Sequence, residues 1–285
     1  DSSSNRREKA DAAFFSKVDL TINGKGTLNV DGKKNNGIKA NDTLHITGGT
    51  YNITAVGDAF NVNDELNITG TTMTIDAKED GIHASGDLVI DSGTYTVKNS
   101  TEGLEGKSIT INGGDISIYS TDDGVNAANK NAQQSEIFFT MNGGNLTVEV
   151  GQGDTDPIDS NGNITVTGGT IKMTGQTGFD FDGTATYTGG DIYLNGEKQT
   201  EIVNSMPGGG GAPGGGGPQG GGPGAGIHNN KQRQDFFLTF FCYPFYDRIE
   251  NQSAYRKEHD EKTNTPSFVH TLAVSSFSIS LCAGP

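Results

Sequence analysis

A short motif recurs along the chain at a nearly constant interval. Its clearest copy reads Asp80-Gly81-Ile82-His83-Ala84. The apolar residue at its centre, here called the anchor, recurs at Phe60, Ile82, Leu104 and Val125, in steps of 22, 22 and 21 residues. A fixed period in the twenties is typical of a solenoid, in which one supersecondary unit stacks on the next.

The same register extends to eight units. It predicts upstream anchors at Phe15 and Ile38 and downstream anchors at Ile158 and Phe181. The longer step of 33 residues before Ile158 indicates one insertion. Residues 128–136 are polar, so they are the expected inserted loop.

Two alternating apolar runs follow each anchor. In the second unit, Leu44 and Ile46 precede the turn Gly48-Gly49, and Tyr51 and Ile53 follow it. This alternation predicts strands with one buried face, and glycine pairs suit sharp corners. Three short strands per unit fit one coil of a parallel β-helix. Because parallel crossovers are almost always right-handed, we expect an all-β, right-handed parallel β-helix of about eight ~22-residue coils.

Composition divides the chain into four parts. A polar segment (1–11) precedes the β-helix (12–206), and a Pro/Gly-rich stretch (207–226) behaves as a flexible linker. Residues 227–285 have no repeat and are interpreted as an unassigned, poorly ordered tail. The two cysteines lie in that tail and are too few for a disulfide framework.

The net charge of −15 lies entirely on residues 1–205, because the remainder carries six acids and six bases. An acidic rod argues against nucleic acid or an anionic membrane as a direct partner. No run of apolar residues approaches the length of a membrane-spanning helix.

Acidic residues recur two positions before the anchors of five consecutive coils. Stacked coils would place these carboxylates about 5 Å apart, where like charges repel and raise each other's pKa. Bound Ca²⁺ would relieve the repulsion, since it accepts six to eight oxygen ligands. The alternative is a solvated acidic edge that opposes aggregation. The ladder consists of Asp58, Asp80, Glu102, Asp123 and Asp156.

Neighbouring columns supply further oxygen atoms. One column precedes the ladder and contains Asp122; another follows the anchors and contains Asn61, His83, Glu105, Asn126, Asp159 and Asp182. Oxygen-rich ligands without cysteine favour Ca²⁺ over zinc or copper. His83, Asn61 and Asp159 are predicted to contact a ligand rather than a metal.

The residues resemble a known family. Ala12-Ala13-Phe14-Phe15-Ser16-Lys17, Asn36-Gly37-Ile38-Lys39-Ala40 and the Asp-Gly-Ile-His-Ala theme resemble the clostridial carbohydrate-binding family, a cell-surface family with a fold like that of polysaccharide lyases. The resemblance covers about residues 10–210. It implies bound Ca²⁺ and an acidic plant polysaccharide such as polygalacturonate, possibly also cellulose. By motif match it assigns the metal to Asp58, Asp80, Glu102, Asp122 and Asp123, with Glu105 and Asn126 as additional ligands.

Three functions follow as hypotheses. The first is an extracellular or bacterial cell-surface protein that binds acidic polysaccharide through Ca²⁺. The second is a polysaccharide lyase, which needs a base to remove the proton α to a uronate. Arginine is absent between Arg7 and Arg233, and only Lys107 lies close in sequence to the ladder, so catalysis is the weaker hypothesis. The third is a structural or adhesive rod without a glycan ligand.

Overall fold

The computed structural model describes residues 11–153 and 155–205, together with the backbone of two short strands near the C-terminus, 270–274 and 277–281. The predicted linker (207–226), both cysteines and most of the predicted tail (227–285) lie outside these residues, as does nearly all of the predicted N-terminal segment (1–11). Within the described residues no helix is long and apolar enough to cross a membrane.

The chain forms a parallel β-solenoid of eight coils, which confirms the predicted architecture. Each coil contributes one strand to each of three sheets, and successive coils pair in parallel. Strands β8 (Leu66–Ala77), β9 (Ile82–Asn99) and β10 (Leu104–Ile111) continue around corners and so serve more than one sheet.

The first sheet carries the anchors. Its other strands are β1 (Ala12–Ser16), β4 (Asn36–Ala40), β7 (Phe60–Val62), β12 (Val125–Ala127), β15 (Ile158–Ser160) and β18 (Phe179–Phe181). The second sheet contains β2 (Leu20–Gly24), β5 (Leu44–Thr47), β13 (Phe138–Met141), β16 (Asn163–Val166) and β19 (Ala185–Tyr187). The third contains β3 (Thr27–Gly32), β6 (Thr50–Ala55), β11 (Asp115–Ser120), β14 (Asn145–Val150), β17 (Thr170–Thr174) and β20 (Asp191–Leu194).

Three further strands lie at the ends. Strand β21 (Glu197–Gln199) forms a hairpin with β20 at the last coil. Strands β22 (His270–Val274) and β23 (Phe277–Leu281) form a second hairpin, and β23 pairs antiparallel with β2 of the first coil. Part of the sequence interpreted as a tail therefore extends the second sheet at its open edge.

The core is a column of apolar side chains from all three sheets. Anchors Ile38, Phe60, Ile82 and Leu104 are in register and fully buried. Tyr51 and Tyr95, on inward-facing positions of the third sheet, are also buried. The alternation of buried and exposed residues along the strands is the physical cause of this arrangement, since neighbouring side chains point to opposite sides of a sheet.

The predicted register was wrong at both ends. In the first coil Phe14, not Phe15, pairs with Ile38. In the last coil Phe179, not Phe181, pairs with Ile158. Each error involves a second phenylalanine one or two positions away, so that the apolar pattern alone does not choose between them.

The longer step between Val125 and Ile158 comes from two insertions rather than the single one predicted. The loop at 128–136 is confirmed and ends in a short 3-10 helix, Gln134–Glu136. A second, shorter extension lies between β14 and β15, in the corner that precedes the first sheet. This second insertion lies in the same connection as the acidic ladder, just before Asp156.

Glycine before the anchor is required by the close approach of successive coils. A Cβ atom at Gly124 would lie 2.1 Å from Val148 Cγ1 and 2.6 Å from the carbonyl oxygen of Pro157. At Gly178, the same position in the last coil, the nearest atom would be 3.4 Å away, which is ordinary van der Waals contact. The two glycines therefore have the same place in the repeat but different space around them.

We expect Gly124→Ala to destabilise the protein by about 1–3 kcal/mol, because the methyl group overpacks the corner. Gly178→Ala is the matched control and should change stability by much less. Urea unfolding followed by circular dichroism measures both. Equal effects of the two substitutions would contradict the proposed role of coil spacing.

Candidate metal centre at the acidic corner

The acidic ladder lies in the corner between the third and first sheets. Ladder residues occupy equivalent positions in consecutive coils, because their anchors are in register. Side chains in this corner are buried or half-buried rather than projecting freely into solvent; Asp58, for example, is 6% exposed. Because these carboxylates are partly removed from water, it costs more free energy to keep them all charged than it would on an open surface.

Three of the five ladder side chains, and Asn36 in the coil before them, accept a hydrogen bond from the backbone of the next coil. The Oδ1 atom of Asn36 accepts the N–H of Asp58 at 2.9 Å, and Asp58 Oδ1 accepts the N–H of Asp80 at 2.9 Å. Asp80 Oδ1 accepts the N–H of Glu102 at 3.2 Å. These bonds satisfy backbone donors that turn away from the sheets, so that the ladder has a structural role independent of any metal.

The same bond recurs further along the ladder. The N–H of Asp156 donates to Asp123 Oδ1 at 2.8 Å. In these coils one carboxylate oxygen is used by the backbone, and the second is left for another partner. The partner of the second oxygen differs along the corner, and on this basis we distinguish two clusters.

The first group, here called the histidine cluster, consists of Asp58, Asn61, Asp80, His83 and Glu105. Asn61 Nδ2 donates to Asp58 Oδ2 at 2.6 Å, so both oxygens of Asp58 are already bonded. His83 Nδ1 contacts Glu105 Oε2 and lies 3.7 Å from Asp80 Oδ2. Asp80, His83 and Glu105 have ligand atoms within 4.8 Å of one another, and within the described ranges they are the one trio of potential metal ligands that meets this criterion.

The His83 imidazole is held in its charged form. Burial acts to lower its pKa, but hydrogen bonds and charge from Asp80 and Glu105 outweigh that effect and raise the pKa to about 10. In its protonated form the ring donates from both nitrogens. Protonated His83 then compensates the charge of Asp80 and Glu105.

The second group, here called the oxygen cluster, contains no histidine. The corrected register places Asp180 beside Asp159, whereas the predicted residue Asp182 lies beyond the strand. Three of its oxygens are buried without a hydrogen-bond partner: Glu102 Oε2, Asn126 Oδ1 and Asp156 Oδ1. Its members are Glu102, Asp123, Asn126, Asp156, Asp159 and Asp180.

Proton affinities in the oxygen cluster are raised. Burial, followed by the charge of Glu105, raises the pKa of Glu102 to about 8, although a hydrogen bond from Asn126 opposes this. Burial and the charges of Asp123, Asp180 and Asp156 raise the pKa of Asp159 to about 7. Such shifts show mutually repelling carboxylates in a poorly solvated place.

The oxygen cluster fits a hard cation. Carboxylate and amide oxygens from four successive coils line this part of the corner, and three of them are buried without a hydrogen-bond partner. Oxygens of these two kinds are the ligands that Ca²⁺ prefers. Calcium bound there would compete with protons for Glu102 and Asp159. The candidate ligands are Glu102, Asp123, Asn126, Asp156, Asp159 and Asp180.

Most predicted site residues lie in this corner, in different roles. Asp122 precedes the ladder, and its backbone N–H bonds Thr101. Glu105 and Asn61, expected to help bind metal and to contact ligand, are instead bonded to His83 and Asp58. The sequence prediction did not include Asp180; taking Phe179 rather than Phe181 as the last anchor would place Asp180 in the column that follows the anchors.

Stability should fall with rising pH when divalent cations are absent. Asp58 and Asp123 (pKa about 6), Asp159 (about 7), Glu102 (about 8) and His83 (about 10) all have folded pKa values above their ordinary ones. The folded state thus binds more protons than the unfolded state, so stability is lost as pH rises through these values. In a chelating buffer, we expect the thermal midpoint to fall from pH 5 to pH 9.

Glu102→Gln supplies the comparison for this prediction, since it removes the charge but keeps the shape of the side chain. This variant should lose less stability than the wild type between pH 5 and pH 9. A midpoint that rises with pH in the wild type would show that these carboxylates are not mutually repelling.

Comparison with known proteins identifies the family. A family model described as carbohydrate-binding domain-containing protein matches residues 1–87 and 78–203, which together span the whole solenoid. Neither the curated proteins nor the solved structures gave a match. The parallel solenoid, its acidic corner and this match lead to one conclusion: the chain belongs to the family of carbohydrate-binding domain-containing proteins.

Proposed function

We propose that this protein binds acidic polysaccharide through Ca²⁺ on the surface of a bacterium or outside it. Membership of a carbohydrate-binding family supplies the class of ligand. The proposal of bound calcium rests on the buried oxygens of Glu102, Asn126 and Asp156, which have no hydrogen-bond partner. A buried unsatisfied oxygen is costly, and a bound cation removes the cost.

Charge explains why a cation would be needed. The repeat region carries the whole net charge of −15, so it repels a polymer such as polygalacturonate. A calcium ion held by protein oxygens on one side can accept a uronate carboxylate on the other, because it tolerates mixed and irregular ligand sets. The oxygen cluster thereby changes from a repulsive to an attractive surface.

The two clusters have different parts in this proposal. The oxygen cluster offers only the ligands that calcium prefers, whereas the histidine cluster contains an imidazole, which suits other metals. His83 neutralises Asp80 and Glu105 without a metal. The histidine cluster therefore stabilises the adjacent coils, and calcium occupies the oxygen cluster.

Binding without catalysis is the proposed activity. A lyase needs an uncharged base near the uronate. His83 contacts Glu105, Lys107 Nζ is paired with Asp87 at 3.0 Å, and Lys39 Nζ is paired with Asp11 at 3.1 Å. These contacts direct the three side chains at carboxylates of the protein.

Incubation of the protein with polygalacturonate and Ca²⁺ should produce no rise in absorbance from an unsaturated product. A pectate lyase assayed in parallel confirms that the substrate is competent. Release of unsaturated product that depends on Lys107 would establish the lyase instead.

The calcium site is tested by titration calorimetry with CaCl₂. The double variant Asp156→Asn/Asp159→Asn should bind calcium at least about tenfold more weakly, because it removes two charged ligands. Asp115→Asn is the matched control: Asp115 is an exposed aspartate of the third sheet that accepts a hydrogen bond from Asn145. Unchanged calcium affinity in the double variant would reject the site.

Glycan retention should follow calcium. On a polygalacturonate gel we expect the wild type to be retarded much more with CaCl₂ than with a chelator, and the same double variant to show only the chelator level in both. Wild-type retardation that is equal with CaCl₂ and with chelator would separate acidic-polysaccharide binding from the metal.

A further inference from the structure

A shallow groove crosses the outer surface of the third sheet, beside the acidic corner. Its volume is about 450 Å³, and its lining comes from four successive coils. The polar side chains that line it are Asn29, Asp31, Asn52, Thr54, Thr74, Asp76 and Lys98. Four coils at the usual strand spacing extend about 14 Å along the rod, which accommodates a short run of sugar residues.

The groove lining carries a formal charge of only −1, from Asp31, Asp76 and Lys98, and is far less acidic than the corner beside it. Asp31 forms an ion pair with Lys33 at 3.6 Å. The other two charged residues of the lining, Asp76 and Lys98, have opposite charges. Lys98 itself forms no ion pair with any described residue. Its ammonium is therefore available as a donor, and the Asp76 carboxylate is available as an acceptor.

The backbone directs Lys98 into the groove. The pairing of β8 with β9 shifts register between Ile75 and Asp76, where Asp76 pairs with Asn99 rather than with Lys98. Lys98 is the extra residue of this bulge. Bulges re-aim a side chain relative to the regular strand.

Hydrogen bonds between coils fix the polar side chains. Asn52 Nδ2 donates to Asn29 Oδ1 at 2.8 Å, and Thr54 Oγ1 donates to Asp31 Oδ1 at 3.4 Å. Each of these side chains keeps a polar atom that faces solvent. Preorganised amides, hydroxyls and carboxylates of this kind recognise ligand hydroxyl groups at low entropic cost.

An aromatic ring lies beyond Lys98 along the same surface. Ile118 pairs with Val97, so the following residue, Tyr119, lies on the coil next to Lys98. Tyr119 is 38% exposed and is the one aromatic side chain among the described residues that reaches this exposure. An exposed tyrosine offers an apolar ring for packing and a polar hydroxyl at its edge.

We infer that this groove, from Asn29 to Tyr119, is a sugar-binding surface that recognises the hydroxyl groups and ring faces of a polysaccharide without calcium. Tyr119 stacks on one sugar ring, and Lys98 and Asp76 bind hydroxyls of its neighbours. The inference rests on the proposed function, in which the adjacent oxygen cluster binds uronate through calcium. The groove thus adds affinity for the neutral part of the same chain.

Affinity electrophoresis of the full chain tests the groove with a neutral soluble β-glucan, hydroxyethylcellulose, in the gel. We expect the wild type to be retarded equally with CaCl₂ and with chelator. Tyr119→Ala and Lys98→Gln should each weaken retention about tenfold, as loss of a charged hydrogen bond or an aromatic contact does. Tyr119→Phe keeps the ring and should bind like the wild type.

Lys25→Gln is the control for charge, since Lys25 is exposed in a different corner of the coil. Calcium calorimetry on the same variants should give wild-type affinities, which separates a groove effect from damage to the corner. Wild-type retention by Tyr119→Ala and Lys98→Gln, or no retention of the wild type by hydroxyethylcellulose, would overturn the groove. Absence of calcium-dependent retention on polygalacturonate would instead overturn the proposed function and leave the groove result standing.

Discussion

The hydrogen bond from a ladder backbone N–H to the side chain of the preceding coil is the interaction on which the acidic corner depends. It requires an oxygen acceptor at the same position of the preceding coil, and Asn36, Asp58, Asp80 and Asp123 supply this acceptor in four of the coils. Because the coils stack at strand spacing, meeting this requirement with aspartate also stacks negative charge. The fold thus produces the electrostatic problem that the site must solve.

The molecule solves that problem differently along its length. In the middle coils, the half-buried His83 ring and the Asn61 amide bond the second carboxylate oxygens. In later coils Asp159 and Asp180 occupy the positions equivalent to His83 and Asn61. There the pKa of Asp159 is raised and Asp156 Oδ1 has no hydrogen-bond partner, which is a condition in which a cation stabilises the structure.

Much of this architecture could be predicted from the sequence. The ~22-residue period, the inward alternation and the glycine pairs each follow from strong physical constraints, namely burial, pleating and corner geometry. The ladder at Asp58, Asp80 and Glu102 followed from the same period. The buried position of Tyr51 follows as well, because alternation along the strand determines which side of the sheet it faces.

Other features of the structure could not be predicted from the sequence, and the reasons for this are also physical. Phe179 and Phe181 satisfy the apolar pattern equally well, so only strand pairing chooses between them, and the choice brings Asp180 into the site. The repeat period also does not indicate which carboxylate oxygens accept hydrogen bonds from backbone N–H groups. The bulge at Lys98 depends on a local shift in pairing, which leaves no period in the sequence.

A crystal structure of the protein grown with CaCl₂ tests the central claim most directly. The account predicts a calcium ion in the oxygen cluster, with carboxylate oxygens of Asp156 and Asp159 among its ligands at about 2.3–2.6 Å. Its remaining coordination positions should face solvent. An oxygen cluster that stays free of metal at saturating calcium, with Glu102 and Asp156 hydrogen-bonded to protein or water instead, would contradict the account.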